Sequence, residues 1–253
     1  MKKILIPFVF IYEFFFALPI LLSLTVFTAI FTVCTIPWKN SEFVHKEQQL
    51  WSRMFYWLTF TKREFEGLEN IRPGQSYVFV SNHQSLFDVW VIYGRLPVVF
   101  KWIMKKELRK VPFVGTGCAA AGHIFIDRSH PKAAVESLER AKKILVNGVS
   151  LVIFPEGTRS KTGEVQAFKR GAFQIAFDMN LPVVPISLSG CNNLMPKGGW
   201  LFRPFTKIKM KVGEPIDLKP FFNEEATDGP TVKQQQLEAM EYVRNKVIEG
   251  KEW

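Results

Sequence analysis

Tyr77-Val78-Phe79-Val80-Ser81-Asn82-His83-Gln84-Ser85-Leu86-Phe87-Asp88-Val89-Trp90-Val91-Ile92-Tyr93-Gly94 is the stretch that decides how the chain folds. Its first five residues, β-branched and aromatic without interruption, predict a buried strand. The apolar run 89–93, stopped by Gly94, predicts a short helix. His83 then lies where a strand ends and a helix begins, the usual place for a site in an open α/β sheet. Residues five apart on one helix point about 140° away from each other, so His83 and Asp88 meet only with His83 in the loop and Asp88 in the first helical turn. A neutral imidazole can take a proton from an alcohol, and a carboxylate behind it fixes the tautomer and stabilises the imidazolium. The same residues allow a plainer reading. Ser85-x-x-Asp88 fits a helix-capping box, in which Asp88 serves backbone N–H groups alone.

Working outward, strands are predicted at residues 98–104, 122–128, 150–154, 183–188 and 207–212. The continuous apolar run 150–154 is the pattern of a sheet covered on both faces. Pro185 inside its strand predicts an edge or a bulge. Lys207, Lys209 and Lys211 alternate with apolar residues, as on a half-covered strand facing an anionic surface or on a guarded edge. Helices are predicted from Ser129 to the stop at Gly148, over 168–179 with Asn180 as the stop, and over 232–248 with Leu237, Met240, Val243 and Val247 inward. Gly115-Thr116-Gly117-Cys118-Ala119-Ala120 superficially matches a dinucleotide fingerprint, but no strand leads into it and Pro112 precedes it; a loop with a close-packed turn is expected. Together these make one α/β domain, a mixed sheet flanked by helices.

The N-terminal part differs. Residues 14–36 hold no charge over 23 positions, enough to span a bilayer. Either one helix spans, or Pro19 breaks the run into two helices that enter and leave the same leaflet. Leu50, Met54, Trp57 and Leu58 mark an amphipathic helix over 43–60 that lies in the headgroup layer or packs on the domain. A division at 1–60, membrane-binding, and 61–253, catalytic, follows. The net charge of +10 calls for an anionic partner. Cys34, Cys118 and Cys191 are too few and scattered for a disulfide framework, and a slight excess of Lys and Arg after the apolar run places the main domain in the cytoplasm.

Three polar clusters stand at strand ends: His83 with Asp88, Arg128, and Glu156-Gly157-Thr158-Arg159, whose guanidinium suits phosphate oxygens. A base, cationic groups and a membrane segment point to a hydroxyl on a phosphorylated lipid being activated. No G-x-S-x-G, P-loop or His/Cys metal cluster is present, so neither a metal nor a cofactor is expected. The Lys and Arg residues are spread between strands, which argues against a nucleic-acid module.

Four ordered motifs, Asn82-His83-x4-Asp88, Gly122-x-x-Phe125-Ile126-Asp127-Arg128, Phe154-Pro155-Glu156-Gly157-Thr158-Arg159-Ser160 and Val184-Pro185-Ile186, resemble those of the glycerolipid acyltransferase family, specifically bacterial 1-acylglycerol-3-phosphate acyltransferases. The resemblance covers residues 62–220. It implies that His83 is the general base and Asp88 its orienter, and that Arg128, Glu156, Gly157, Thr158 and Arg159, joined by Lys105, hold the acceptor's phosphate. It further implies acyl transfer from acyl-CoA or acyl-carrier protein to the sn-2 hydroxyl of lysophosphatidate at an anionic membrane, the cell inner membrane, with catalysis on the cytoplasmic side. Backbone N–H groups at the helix start or at Gly157 are the expected oxyanion donors. Another lysolipid or glycerol 3-phosphate as acceptor, or a non-catalytic lipid-surface protein, are the competing readings.

Overall fold

The computed structural model describes residues 5–35, 41–127, 131–145, 147–199, 201–222 and 229–252. In chain order the elements are α1 (Leu5–Tyr12), a π-helical turn (Glu13–Ala17), α2 (Leu18–Thr35), α3 (Ser41–Leu58), β1 (Lys62–Glu66), β2 (Val78–Ser81), α4 (Phe87–Arg95), β3 (Phe100–Lys105), α5 (Val114–Ala120), β4 (Ile124–Ile126), α6 (Pro131–Ile144), β5 (Ser150–Ile153), α7 (Gly171–Met179), β6 (Val183–Ser189), α8 (Cys191–Leu194), β7 (Lys207–Val212) and α9 (Gly229–Lys251). The seven described strands form one sheet in the order β1-β7-β6-β2-β5-β3-β4. Every neighbouring pair is parallel except β6 with β7, so the sheet is mixed, as expected.

β2 sits at the middle, flanked by β5 and β6, with every residue of β2 and β5 buried. Alternation sends Tyr77 and Phe79 to one face, with Val91, Ile92, Phe100 and Ile186, and Val78 and Val80 to the other, with Phe173, Ile175, Met240 and Val243. Helices cover both faces, which is why the strands read as uninterrupted apolar runs. β2, β3, β4 and β5 run parallel, so their C-terminal ends gather along one edge of the sheet. His83 follows the end of β2, Lys105 closes β3 and Glu156 follows the end of β5.

Several expectations need correction. β6 is an interior strand, so the edge expected as one explanation of Pro185 falls. The other, a bulge in the pairing, remains: the two residues between Val183 and Ile186 face three between Val212 and Ile216. Pro185 is tolerated because its carbonyl, and therefore its missing N–H, faces the place where the chain after β7 leaves the ladder: Gly213 N–H donates to Pro185 O, and pairing resumes at Val183 with Ile216. β7 is interior too, and its lysines meet the acidic face of β1, Lys207 with Glu64 at 2.6 Å and Lys211 with Glu66 at 4.0 Å. They serve a cross-strand ladder rather than an anionic surface. Residues 114–120 are a helix, α5, despite two glycines. A Cβ on Gly115 would stand 2.1 Å from Arg109 O, and one on Gly117 would stand 3.1 Å from Ala29 of α2; close packing overrides propensity there. Leu237 is exposed, while Met240, Val243 and Val247 point inward as expected.

The apolar run does not break at Pro19. Helix continues from α1 to α2 through the π-helical turn, which shifts the hydrogen-bond register just ahead of the residue that has no N–H. Among its residues Pro7–Thr35 are long and apolar enough to cross a membrane. Yet one side of this helix rests on the rest of the protein along its length. Tyr12 Oη donates to Leu58 O at 2.9 Å, Phe202 N–H to Glu13 Oε1 at 2.7 Å, and Trp51 Nε1 to Thr25 Oγ1 at 3.2 Å. Thr32 Oγ1 donates to Glu47 Oε2. The other side leaves Phe8, Phe14, Phe15, Phe16, Phe27 and Ile30 half exposed or more. α3 packs on α4 and α2 through His45, Gln48, Ser52, Phe55 and Tyr56, leaving Leu50 and Trp57 outward. Its predicted apolar stripe therefore divides between two surroundings.

Candidate active site

The loop after β2 is held in place before any ligand arrives. Asn82 acts as one more rung of the sheet: its Nδ2 donates to Leu188 O at 2.9 Å, and its Oδ1 accepts from Leu188 N–H at 2.8 Å. Both groups are buried, so replacing this side chain with an isosteric apolar one orphans a donor and an acceptor. Asn82→Leu is expected to lower unfolding free energy by about 2–4 kcal/mol in denaturant titration; a loss within error would show that water satisfies Leu188 instead.

His83 follows, and Asp88 makes the contacts that both readings require. Asp88 Oδ2 lies 2.8 Å from His83 Nδ1 and also accepts from Gln84 N–H at 2.5 Å and Ser85 N–H at 2.8 Å. One buried oxygen caps the helix and orients the ring. Because the carboxylate accepts, the proton on His83 belongs on Nδ1, and Nε2 keeps its lone pair. The imidazole stacks on Phe154, centroids 3.9 Å apart and planes within 9°, and Phe154 stacks on Trp102 at 5.3 Å. Its side chain retains 15% exposure, so the ring is held at an edge and on one face with a small opening to solvent.

Glu156 ties the third motif to the first. Its Oε1 accepts the His83 N–H at 2.8 Å, and Ser160 N–H donates to His83 O at 2.7 Å. Glu156 is buried, and burial pushes its carboxyl up to about 7, against the pull of the His83 N–H and Gln166. A carboxyl whose folded value lies above its ordinary 4.5 holds its proton more tightly when folded. Its contribution to stability is complete below about 4.5 and is lost as pH rises through about 7. Wild type is therefore expected to lose stability relative to Glu156→Gln between those values, in denaturant titrations run across pH. The comparison with the variant isolates this group from buried His45 and His123, whose lowered values act in the opposite sense. A flat difference would mean that the carboxylate is already ionised in the fold.

Gly157 takes a φ of +76° as its N–H closes a turn onto Phe154 O at 3.0 Å, a conformation suited to glycine. Thr158 is exposed and Arg159 half-buried beyond it. Lys105, exposed, ends β3 two strands from β2, about 10 Å across the sheet. Arg128 lies outside the described residues, as do Ser129 and His130; β4 ends two residues earlier at Ile126. The N–H groups of Gln84, Ser85, Phe87 and Gly157 all have acceptors already, so they are not the open oxyanion donors expected there.

Sequence reasoning missed Lys197. Its Nζ donates to Thr158 Oγ1 at 3.2 Å and Arg159 O at 2.8 Å, placing a further cation against the third motif from a loop nearly forty positions away. The loop returns through Met195, whose carbonyl accepts from Ser85 Oγ at 2.7 Å. Nothing in the spacing of Met195-Pro196-Lys197-Gly198-Gly199 marks this contact. Gln84 Nε2 and Lys251 Nζ both donate to Gly163 O, a second link that only folding creates. Cys118 is pushed up to about 11 by burial, and burial with the Asp88 carboxylate raises Cys191 too, so neither is a thiolate nucleophile. Among the described residues no His/Cys/Asp/Glu group has the spacing of a metal site.

The family model Acyltransferase matches residues 62–189. The chain is 37% identical over 170 residues to a 1-acyl-sn-glycerol-3-phosphate acyltransferase of Pseudomonas aeruginosa, covering 65% of each chain. It is 35% identical over 176 residues to a chloroplastic 1-acyl-sn-glycerol-3-phosphate acyltransferase of Arabidopsis thaliana, 69% of this chain and 49% of that one. The chain spans about half the length of the curated plant relatives it matches. The crystal structure of the 1-acyl-sn-glycerophosphate (LPA) acyltransferase from Thermotoga maritima aligns with a TM-score of 0.74 at 31% identity, over 97% of both chains.

Proposed function

The chain belongs to the acyltransferase family, and on that premise we propose that it transfers a fatty acyl group from a thioester to the sn-2 hydroxyl of 1-acylglycerol-3-phosphate, forming phosphatidate. The observation that carries this reading is the 2.8 Å contact between His83 Nδ1 and buried Asp88, which leaves Nε2 as the base beside a cationic rim. Lys105, Arg159, Lys197 and, from the resemblance, Arg128 hold the acceptor's phosphate and so bring its free hydroxyl to Nε2. His83 takes the hydroxyl proton as the oxygen attacks the thioester carbonyl, and the imidazolium returns it to the departing thiolate. Glu156, turned inward onto the His83 N–H, supports the base and the motif loop from below.

Acyl-CoA or acyl-carrier protein is the donor. Residues 1–60 bind the membrane and 61–253 carry catalysis. The apolar helix rests on α3 at Tyr12, Thr25 and Thr32 and on the catalytic domain at Glu13 and Ala29, while its other side stays exposed, which favours a helix lying in one leaflet of an anionic membrane. A crossing helix would draw Phe202 and α5 into hydrocarbon with it. The inner membrane of a bacterial cell, with catalysis on the cytoplasmic side, is consistent with the free cysteines.

Thiol release by the reconstituted full chain tests the activity. Release from acyl-CoA or acyl-carrier protein that requires lysophosphatidate, with phosphatidate as product, supports the proposal. Release that proceeds with other lysolipids but not lysophosphatidate reassigns the acceptor, and silence with both donors sinks the enzymatic reading.

A further inference from the structure

Among the described residues other than glycine, five have positive φ: Phe60 at 52°, Phe113 at 61°, Phe205 at 62°, and Asn147 and Asn180. Asparagine tolerates that region; phenylalanine is rare there and strained. All three phenylalanines are also exposed, by 50%, 48% and 64%. A largely exposed apolar ring on a backbone that resists holding it is out of place in water. Phe113 is the most constrained. With ψ at −51° and Val114 N–H donating to Pro112 O at 2.6 Å, it forms the apex of a γ-turn of the rare, strained kind.

The surroundings of Phe113 have the chemistry of a bilayer's headgroup layer. Residues 105–113 are all exposed, and they combine Leu108, Val111 and Phe113 with Lys105, Lys106, Arg109 and Lys110 against the single Glu107. The segment leads directly into α5, which packs on the apolar helix at Ala29. At the other end of that helix, Phe60 and Phe205 stack 5.9 Å apart, and Phe60 lies 5.4 Å from Tyr12. The two aromatic points thus adjoin opposite ends of the same exposed apolar surface.

We propose that the segment 105–113 is a second membrane-contact element, in which Phe113, with Leu108 and Val111, enters the headgroup layer of an anionic bilayer while Arg109 and Lys110 meet lipid phosphates. Phe60 and Phe205 are the matching contact at the other end. The inference rests on the in-leaflet placement proposed above and adds that the catalytic domain itself touches lipid. The element begins at Lys105, so contact with the bilayer sets the height of a phosphate-binding residue relative to the acceptor's own headgroup.

The test uses the full chain in nanodiscs containing phosphatidylglycerol, with Cys34→Ser and a bimane probe on Phe113→Cys or, as a reference, Leu237→Cys. Doxyl-labelled lipid is expected to quench the probe at 113 and leave that at 237 bright. Equal brightness at both positions, or shielding of 113 by added acyl-carrier protein or by a second copy of the chain without quenching, overturns the proposal. In a second arm, Phe113→Gly is expected to keep or raise Tm, because glycine suits the γ-turn. It should lower turnover on bilayer-embedded lysophosphatidate about tenfold while leaving a short-chain, water-soluble analogue unaffected. A fall in Tm, or equal loss on both acceptors, would make Phe113 a packing residue and refute the membrane role. Should wild type turn over neither acceptor, the acyltransferase reading fails, and quenching still decides the contact.

Discussion

His83→Ala is expected to lower acyl transfer by about 10³-fold while the protein folds and reconstitutes as wild type does. The size follows from what the ring does in the proposed reaction. General base catalysis typically contributes 10²–10⁴-fold, and the imidazole's second role, returning the proton to the thiolate, is lost with it. Residual activity should persist, since the cationic rim still positions the acceptor. The fold should survive because the His83 side chain is partly open and the loop is held by its backbone, through Glu156 and Ser160, rather than by its ring. Turnover and phosphatidate affinity are the paired measurements. A variant that loses affinity as much as turnover would assign His83 to binding, and one that keeps full turnover would remove it from the chemistry.

The second large effect separates the two jobs of Asp88. In Asp88→Asn the amide oxygen can take the place of Oδ2 and accept from Gln84 N–H, Ser85 N–H and His83 Nδ1, so the helix start stays capped and the tautomer is kept. Only the negative charge behind the developing imidazolium is gone. Activity should fall by about 10²-fold or more with thermal unfolding little changed. In Asp88→Ala the two backbone donors are orphaned in a buried site, and stability should drop by about 2–4 kcal/mol in addition to the loss of activity. If Asp88 were a cap and nothing else, the asparagine would keep wild-type turnover. Comparing the two variants by turnover and by denaturant titration decides the matter.

Local order explains what the chain discloses by itself. Strand and helix periods depend on neighbours two to four positions apart, so the run before Asn82, the continuous apolar stretch of β5 and the stop at Asn180, which takes φ of +51°, are all written in the sequence. The condition under which His83 and Asp88 can meet, across a strand–helix junction, is written there too, while a cap without that contact stays open; the fold supplied the contact. Motif spacing carried the family and the candidate residues, with Arg128 outside the described structure.

What tertiary structure alone decided involves partners far apart in the chain. Pro185 left β6 as an edge or a bulged strand and the alternating lysines left β7 as a half-covered or edge strand, but sheet order is set by which strands pair. That placed Glu64 within an ion pair of Lys207 on the neighbouring strand and let the departing chain at Gly213 excuse the proline. Gly115 and Gly117 read as loop because propensity knows nothing of Arg109 and Ala29 pressing on them. Leu50 and Leu237 face outward because a helical stripe names a face without naming what covers it. Lys197, the Asn82 rung and the Phe154 stack behind His83 reached the site by long-range closure, which no linear spacing records. The continuous helix through Pro19 belongs here as well, since its contacts with α3 and, at Glu13 and Ala29, with the domain beyond it join residues far apart in the chain.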